Sequence, residues 1–146
     1  MKQADIHPVF TVVPIPVIYQ KPAALFLEDF LAAYPFAPAE YVELISEING
    51  FYLEYPLHEG KFTLSVDSLE DVLNFPSDYA HLNEMRTCFF FGTDGDIIYF
   101  YAADPEHKMG IYCCELAGMD WEEAEWLAAS FRAFFAEGEG ILERHH

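Results

Sequence analysis

Thr87-Cys-Phe-Phe-Phe-Gly-Thr-Asp-Gly-Asp-Ile-Ile-Tyr-Phe-Tyr-Ala102 is the stretch whose reading decides the fold. An aromatic-rich apolar run reaches Gly92, breaks at Gly-Thr-Asp-Gly-Asp96, and resumes through Ala102. Bulky β-forming residues on either side of Gly and Asp positions that tolerate positive φ predict a β-hairpin. Neither half alternates between apolar and polar residues, so both faces of the hairpin must be covered. It is therefore expected at the centre of a sheet, with helices from the flanking segments as its cover.

The segments before the hairpin carry helix and strand patterns. Pro22 suits the first turn of a helix over 22–34 that places Ala23, Leu27, Phe30, Leu31 and Tyr34 on one face. Pro35 and Pro38 separate it from a second helix over 39–48, where Tyr41, Leu44, Ile45 and Ile48 form the apolar stripe and Glu40, Glu43 and Glu47 face water. Asn49-Gly50 closes that helix. Strands are predicted over 51–55 and 61–66, after which Asp67 or Ser68 caps a brief helix carrying Leu69, Val72 and Leu73. Residues 75–86 read as a loop with one helical turn.

After the hairpin come a loop over 103–109, a strand over 110–116 and a helix over 120–137. In that helix Ala124, Leu127, Ala128, Phe131, Phe134 and Phe135 share one face, and Trp126 falls opposite among acidic residues. Asp120 and Glu123 stand in a capping-box relation at its start, and Gly138 and Gly140 stop it. Residues 1–20 form an extended apolar arm in which Pro14 and Pro16 confine any strand to a sheet edge. The arm is expected to cover its own domain, with packing on a second subunit of a homodimer as the alternative. The sum is one α+β domain over 1–146, a largely antiparallel, twisted sheet of about five to six strands with helices packed against it.

Composition narrows the function. A chain that is 53% hydrophobic and 17% aromatic is a packed globule. Its 25 acidic residues against seven Lys plus Arg leave a formal charge of −18. A field of that sign repels phosphates, which argues against nucleic-acid and anionic-membrane binding and favours a basic protein partner. The same charge also keeps an aromatic-rich chain soluble. Three cysteines do not make a disulfide framework: Cys113 and Cys114 point to opposite faces of a strand, and Cys88 lies too far away in the sheet. Buried thiols and no signal-peptide or membrane-anchor pattern point to a reduced, cytoplasmic protein. Arg144-His145-His146 is set aside from the fold reading.

The order of motifs resembles a known group. Pro38-Ala-Glu-Tyr-Val-Glu-Leu-Ile-Ser-Glu-Ile-Asn-Gly50, the strand-and-helix step over 64–73, the Phe91-Gly-Thr-Asp-Gly95 hairpin and Ala129-Ser-Phe-Arg-Ala-Phe-Phe135 are similar, in that order, to the SUKH superfamily. That group includes bacterial immunity proteins and fungal cell-wall and glucan-synthesis regulators. The resemblance spans roughly residues 36–136 and gives structural roles to Tyr41, Asn49, Gly50, Gly92, Gly95 and Phe131. It implies a non-catalytic, protein-binding domain, in bacteria usually an antidote held against a toxin that is often a nuclease.

No constellation of catalytic or metal-binding residues competes with this reading. Asp94 and Asp96 lack the further ligands of a Ca²⁺ loop and suit turn chemistry. Asp104, Glu106 and His107 stand beyond the other end of the strand. The six histidines form no zinc motif, and a Cys–His nucleophile built from Cys88, Cys113 or Cys114 with His81 or His107 would rest on buried strand thiols. Neither a metal nor a cofactor is expected. Partner contacts are instead expected from Tyr52, Tyr55, Tyr99 and Tyr101 on the strands, from Asp94 and Asp96 at the turn, and from Trp126 as a hot spot. Tyr112 belongs to the same set of strand tyrosines.

Overall fold

The computed structural model describes residues 1–16, 21–75 and 87–144. Along it run β1 (Thr11–Pro14), α1 (Ala24–Ala33), α2 (Ala39–Glu47), β2 (Phe51–Pro56), β3 (Lys61–Val66), α3 (Leu69–Asn74), β4 (Cys88–Asp94), β5 (Ile97–Ala102), β6 (Gly110–Glu115) and β7 (Glu125–Ala128). Short 3₁₀ turns lie at Gln3–Asp5 and Leu116–Gly118, and a single π-helical turn at Arg132–Ala136 closes the helical layer. The sheet order β1-β2-β3-β4-β5-β6-β7 is the sequence order, and each neighbouring pair is antiparallel. The α+β class holds. The sheet has seven strands because the arm supplies β1 and residues 125–128 supply β7.

The helix expected over 120–137 does not form. Residues 121–123 make a turn, β7 pairs with β6, and only the aromatic end coils. Leu127 and Ala128 are buried, as the helical pattern required, but two adjacent apolar residues satisfy a strand equally well. The unpaired edge of β6 decides between them, placing Trp126 opposite Tyr112 as a cross-strand aromatic pair. Asp120 still accepts the Glu123 backbone N–H at 2.8 Å, so the capping signal is real but closes a turn. The C-terminal segment lies against this edge, with Gly140 close to Leu127 and Arg144 paired with Glu125.

The central hairpin is buried on both faces, as its composition demands. On the helix side Phe89, Phe91, Tyr99, Tyr101, Ile111 and Cys113 join Phe30 of α1, Tyr41, Leu44 and Ile45 of α2, and Phe131, Phe134 and Phe135. Tyr41 sits at the middle of this cluster, its ring 4.9 Å from Phe89 and 4.8 Å from Phe131. On the other side Cys88, Phe90, Ile98, Phe100, Tyr112 and Cys114 are covered by Phe75, Met119, Trp121 and Trp126. Met119 and Trp121 come from the crossing between β6 and β7, which holds only the 3₁₀ turn at Leu116–Gly118, while Trp126 comes from β7 and Phe75 from the end of α3.

Local chemistry explains the element ends. Ser68, not Asp67, caps α3, its Oγ accepting the Asp71 N–H. Asn49 is buried; its Nδ2 donates to the Lys21 carbonyl and its Oδ1 accepts the Leu69 N–H, tying the end of α2 to the start of α3. Glu40 reaches across to accept the Phe131 and Arg132 N–H groups, satisfying the start of the π turn from another element. The hairpin loop is only Gly95-Asp96, with Gly95 at φ +59°, the two-residue pattern that starts on glycine. Beside it the ladder is irregular between Phe90 and Gly92, and a Cβ on Gly92 would stand 2.7 Å from the Ser65 carbonyl oxygen.

Of the expected α1 face, Ala23 and Phe30 are buried, Leu27 and Tyr34 are half-buried, and Leu31 turns outward. Met1, Ile6 and Phe10 are buried in the helix-side core, and the His7 N–H donates to the Phe135 carbonyl. Residues 1–16 thus pack on their own domain. The remainder of the arm (17–20) and most of the loop expected over 75–86 lie outside the described residues.

Candidate protein-binding surface

The expected contact residues divide into three groups. Tyr99 and Tyr101 are 2% and 5% exposed, and Tyr112 is buried too, so none offers a ring to a partner. For Tyr99 and Tyr101 their own strand held the warning: a hairpin with two covered faces has no outward position for them. Tyr52 is 39% exposed and pairs with Val13 on the open sheet face of β1 and β2, while Tyr55 packs against Phe10. Asp94, Asp96 and Trp126 belong to the β4–β7 half of the sheet.

At one end of that half carboxylates converge. A surface cavity of about 660 Å³ opens at the hairpin turn, lined by Asp96, Ile97, Glu115, Leu116 and Ala117. Beside it Ile97, Cys113, Cys114, Glu115, Glu123, Glu125 and Arg144 line a cleft of about 210 Å³. The antiparallel register brings Ile97 opposite Glu115 and Cys113 opposite Glu125, so one end of β5, β6 and β7 gathers carboxylates from three segments. Arg144 is the cation among them; desolvation lowers its pKa, but the Glu125 hydrogen bond together with the electrostatic pull of Cys113, Glu125 and Tyr99 leaves it raised. The cavity thus joins the apolar side chains of Ile97 and Leu116 to the carboxylates of Asp96 and Glu115.

The opposite end of the same half is built on the loop between β5 and β6. Asp104 accepts from Thr87 Oγ1, from the Glu106 N–H and from the His107 ring, and these bonds, the Thr87 one foremost, hold its carboxyl below the usual range. His107 in turn stacks on Trp121 with ring centroids 3.8 Å apart. Lys108 Nζ lies 3.5 Å above the Trp126 ring, whose Nε1 donates to the Met109 carbonyl. The sequence pattern hides this pairing of loop and tryptophans, because Trp126 fits a helical period as well as a strand. The His-Lys-Met run between two strands is the signal that was there.

Burial disfavours the Cys–His nucleophiles that the sequence offered. Burial pushes the thiols of Cys88 and Cys114 up to about 12 and raises that of Cys113, which suppresses the thiolate each would need. His81 lies outside the described residues. Among the described residues, no group of three His, Cys, Asp or Glu side chains stands close enough to hold a metal ion. No family model matches this chain, and no curated protein matches it either. Among the described residues no helix is long and apolar enough to cross a membrane.

Proposed function

We propose that this chain is a non-catalytic protein-binding domain of the SUKH immunity type, which neutralises a basic toxin domain, such as a nuclease, by occlusion. The observation that carries the reading is a formal charge of −18 with carboxylates from the hairpin turn, β6 and β7 gathered over an apolar cavity floor. Charge of this density steers a basic protein into encounter, and burial of the apolar floor then holds it. A self-associating scaffold is the second reading, favoured by the exposed Val13–Tyr52 pair at the β1 edge. It is weakened by the burial of Met1, Ile6 and Phe10 against their own core, which leaves less of the arm to offer a second copy.

The test is capture of partners from the native lysate at low and high salt, followed by association kinetics with whatever is retained. A basic protein held at low salt, whose association slows about tenfold when Asp96, Glu115 and Glu123 are changed together to lysine, supports the reading. An acidic partner, or association rates indifferent to that reversal at low salt, refutes it.

A further inference from the structure

Lys21, Lys61, Arg132 and Arg144 each pair with a carboxylate. Lys108 does something else: its ammonium sits over an indole in a protein with carboxylates to spare. The separation of 3.5 Å lies well inside the reach of a cation–π attraction. The indole is also held ready for a cation. Its Nε1 is anchored on the Met109 carbonyl, and one side of the ring joins the buried cluster of Phe100, Tyr112 and Cys114. Gly110, at φ +141°, lets the ring edge lie against the backbone, since a Cβ there would stand 2.9 Å from Nε1. Glu122, Glu123 and Glu125 precede the tryptophan and are exposed, and Met109 beside it is 60% exposed.

We infer that Trp126 is the receptor for a lysine or arginine side chain of a basic protein partner, and that Lys108 is its intramolecular placeholder. The inference rests on the basic-partner reading and adds to it a contact residue and a competitor. Charge complementarity selects the occupant: a fixed π face on a chain of formal charge −18 attracts a cationic side chain and disfavours an acidic or purely apolar one. The partner's cation would displace Lys108, which is exposed and carried on a loop.

A hexa-arginine peptide, titrated at low salt and followed by tryptophan emission, is the probe. Lys61, on β3 and paired with Glu54, provides a control of equal charge change. Lys108→Ala is expected to tighten peptide binding about fivefold beyond the effect of Lys61→Ala, and Trp126→Leu to weaken it about fivefold. Equal tightening by the two lysine variants, or an affinity indifferent to Trp126→Leu in a protein whose circular dichroism is unchanged, overturns the role of Trp126 while leaving a basic partner in place. Should Trp126→Leu fail to fold, the two lysine variants decide alone. Absence of any salt-sensitive binding to the wild type overturns both the receptor and the basic-partner reading.

Discussion

Asp67 shows how much one buried carboxyl can contribute to the behaviour of this protein. It follows β3, its N–H donates to the Phe91 carbonyl, and its side chain lies near Tyr41 and Asp71. Burial first, and the Asp71 charge second, push its pKa up to about 7. An unfolded aspartate titrates near 4, so between about pH 4 and 7 the folded chain binds more protons than the unfolded one. Stability from this group is therefore full below pH 4 and falls as pH rises to about 7. Asp67→Asn is expected to stabilise the protein more at pH 8 than at pH 5, by roughly 2 kcal/mol, in urea denaturation at the two pH values. A gain equal at both would mean that the carboxyl is ionised in the folded state throughout. The neighbouring Tyr41 hydroxyl is buried with no hydrogen-bond partner among the described residues, and its pKa too is raised by burial. Its ring, central to the aromatic cluster, is what retains it.

At the scale of elements, strong periodicity was legible and competition for an edge was not. The hairpin, β3 and the Tyr41-Leu44-Ile45 stripe of α2 were readable because each carries its own period and its own turn residues. The segment over 120–137 was not, because Leu127-Ala128 fits both periods and the deciding partner, the edge of β6, is remote information. The same limit governed the site. Asp94 and Asp96 were placed at the turn by glycine chemistry, whereas Tyr99 and Tyr101 were read as surface residues although their strand is covered on both faces. Gly92 shows element-level constraint most sharply, since β3 approaches where a side chain would stand. Gly92→Ala should cost about 2 kcal/mol as the Ser65 carbonyl is pushed away, read as a lower urea midpoint at unchanged slope. An unchanged midpoint would show that the two strands yield there.

For the whole molecule the governing quantity is charge. The paired cations already sit on Glu70, Glu54, Asp5 and Glu125, so the surplus of acids has little left to balance it. Self-repulsion then opposes folding, and salt relieves it. The thermal midpoint is expected to rise by a few degrees between low and high sodium chloride. A midpoint that falls with salt would mean that the ion pairs outweigh the repulsion. The same surplus that makes the chain less stable at low salt is what would draw the basic partner proposed above.

A sheet whose spatial order repeats its sequence order also has a kinetic meaning. Each strand pairs with one synthesised just before it, so most ladders close over short loops and the sheet can zip in one direction. The helical layer is different. Glu40 meets Phe131 across 91 residues of chain, and the Phe131-Phe134-Phe135 cluster seals a core whose other wall is α1 and α2. A nascent chain therefore acquires β1 to β6 first, and its aromatic face is not sealed until residues 125–136 add β7 and the aromatic turn. The Phe131–Phe135 turn is the keystone that closes this core.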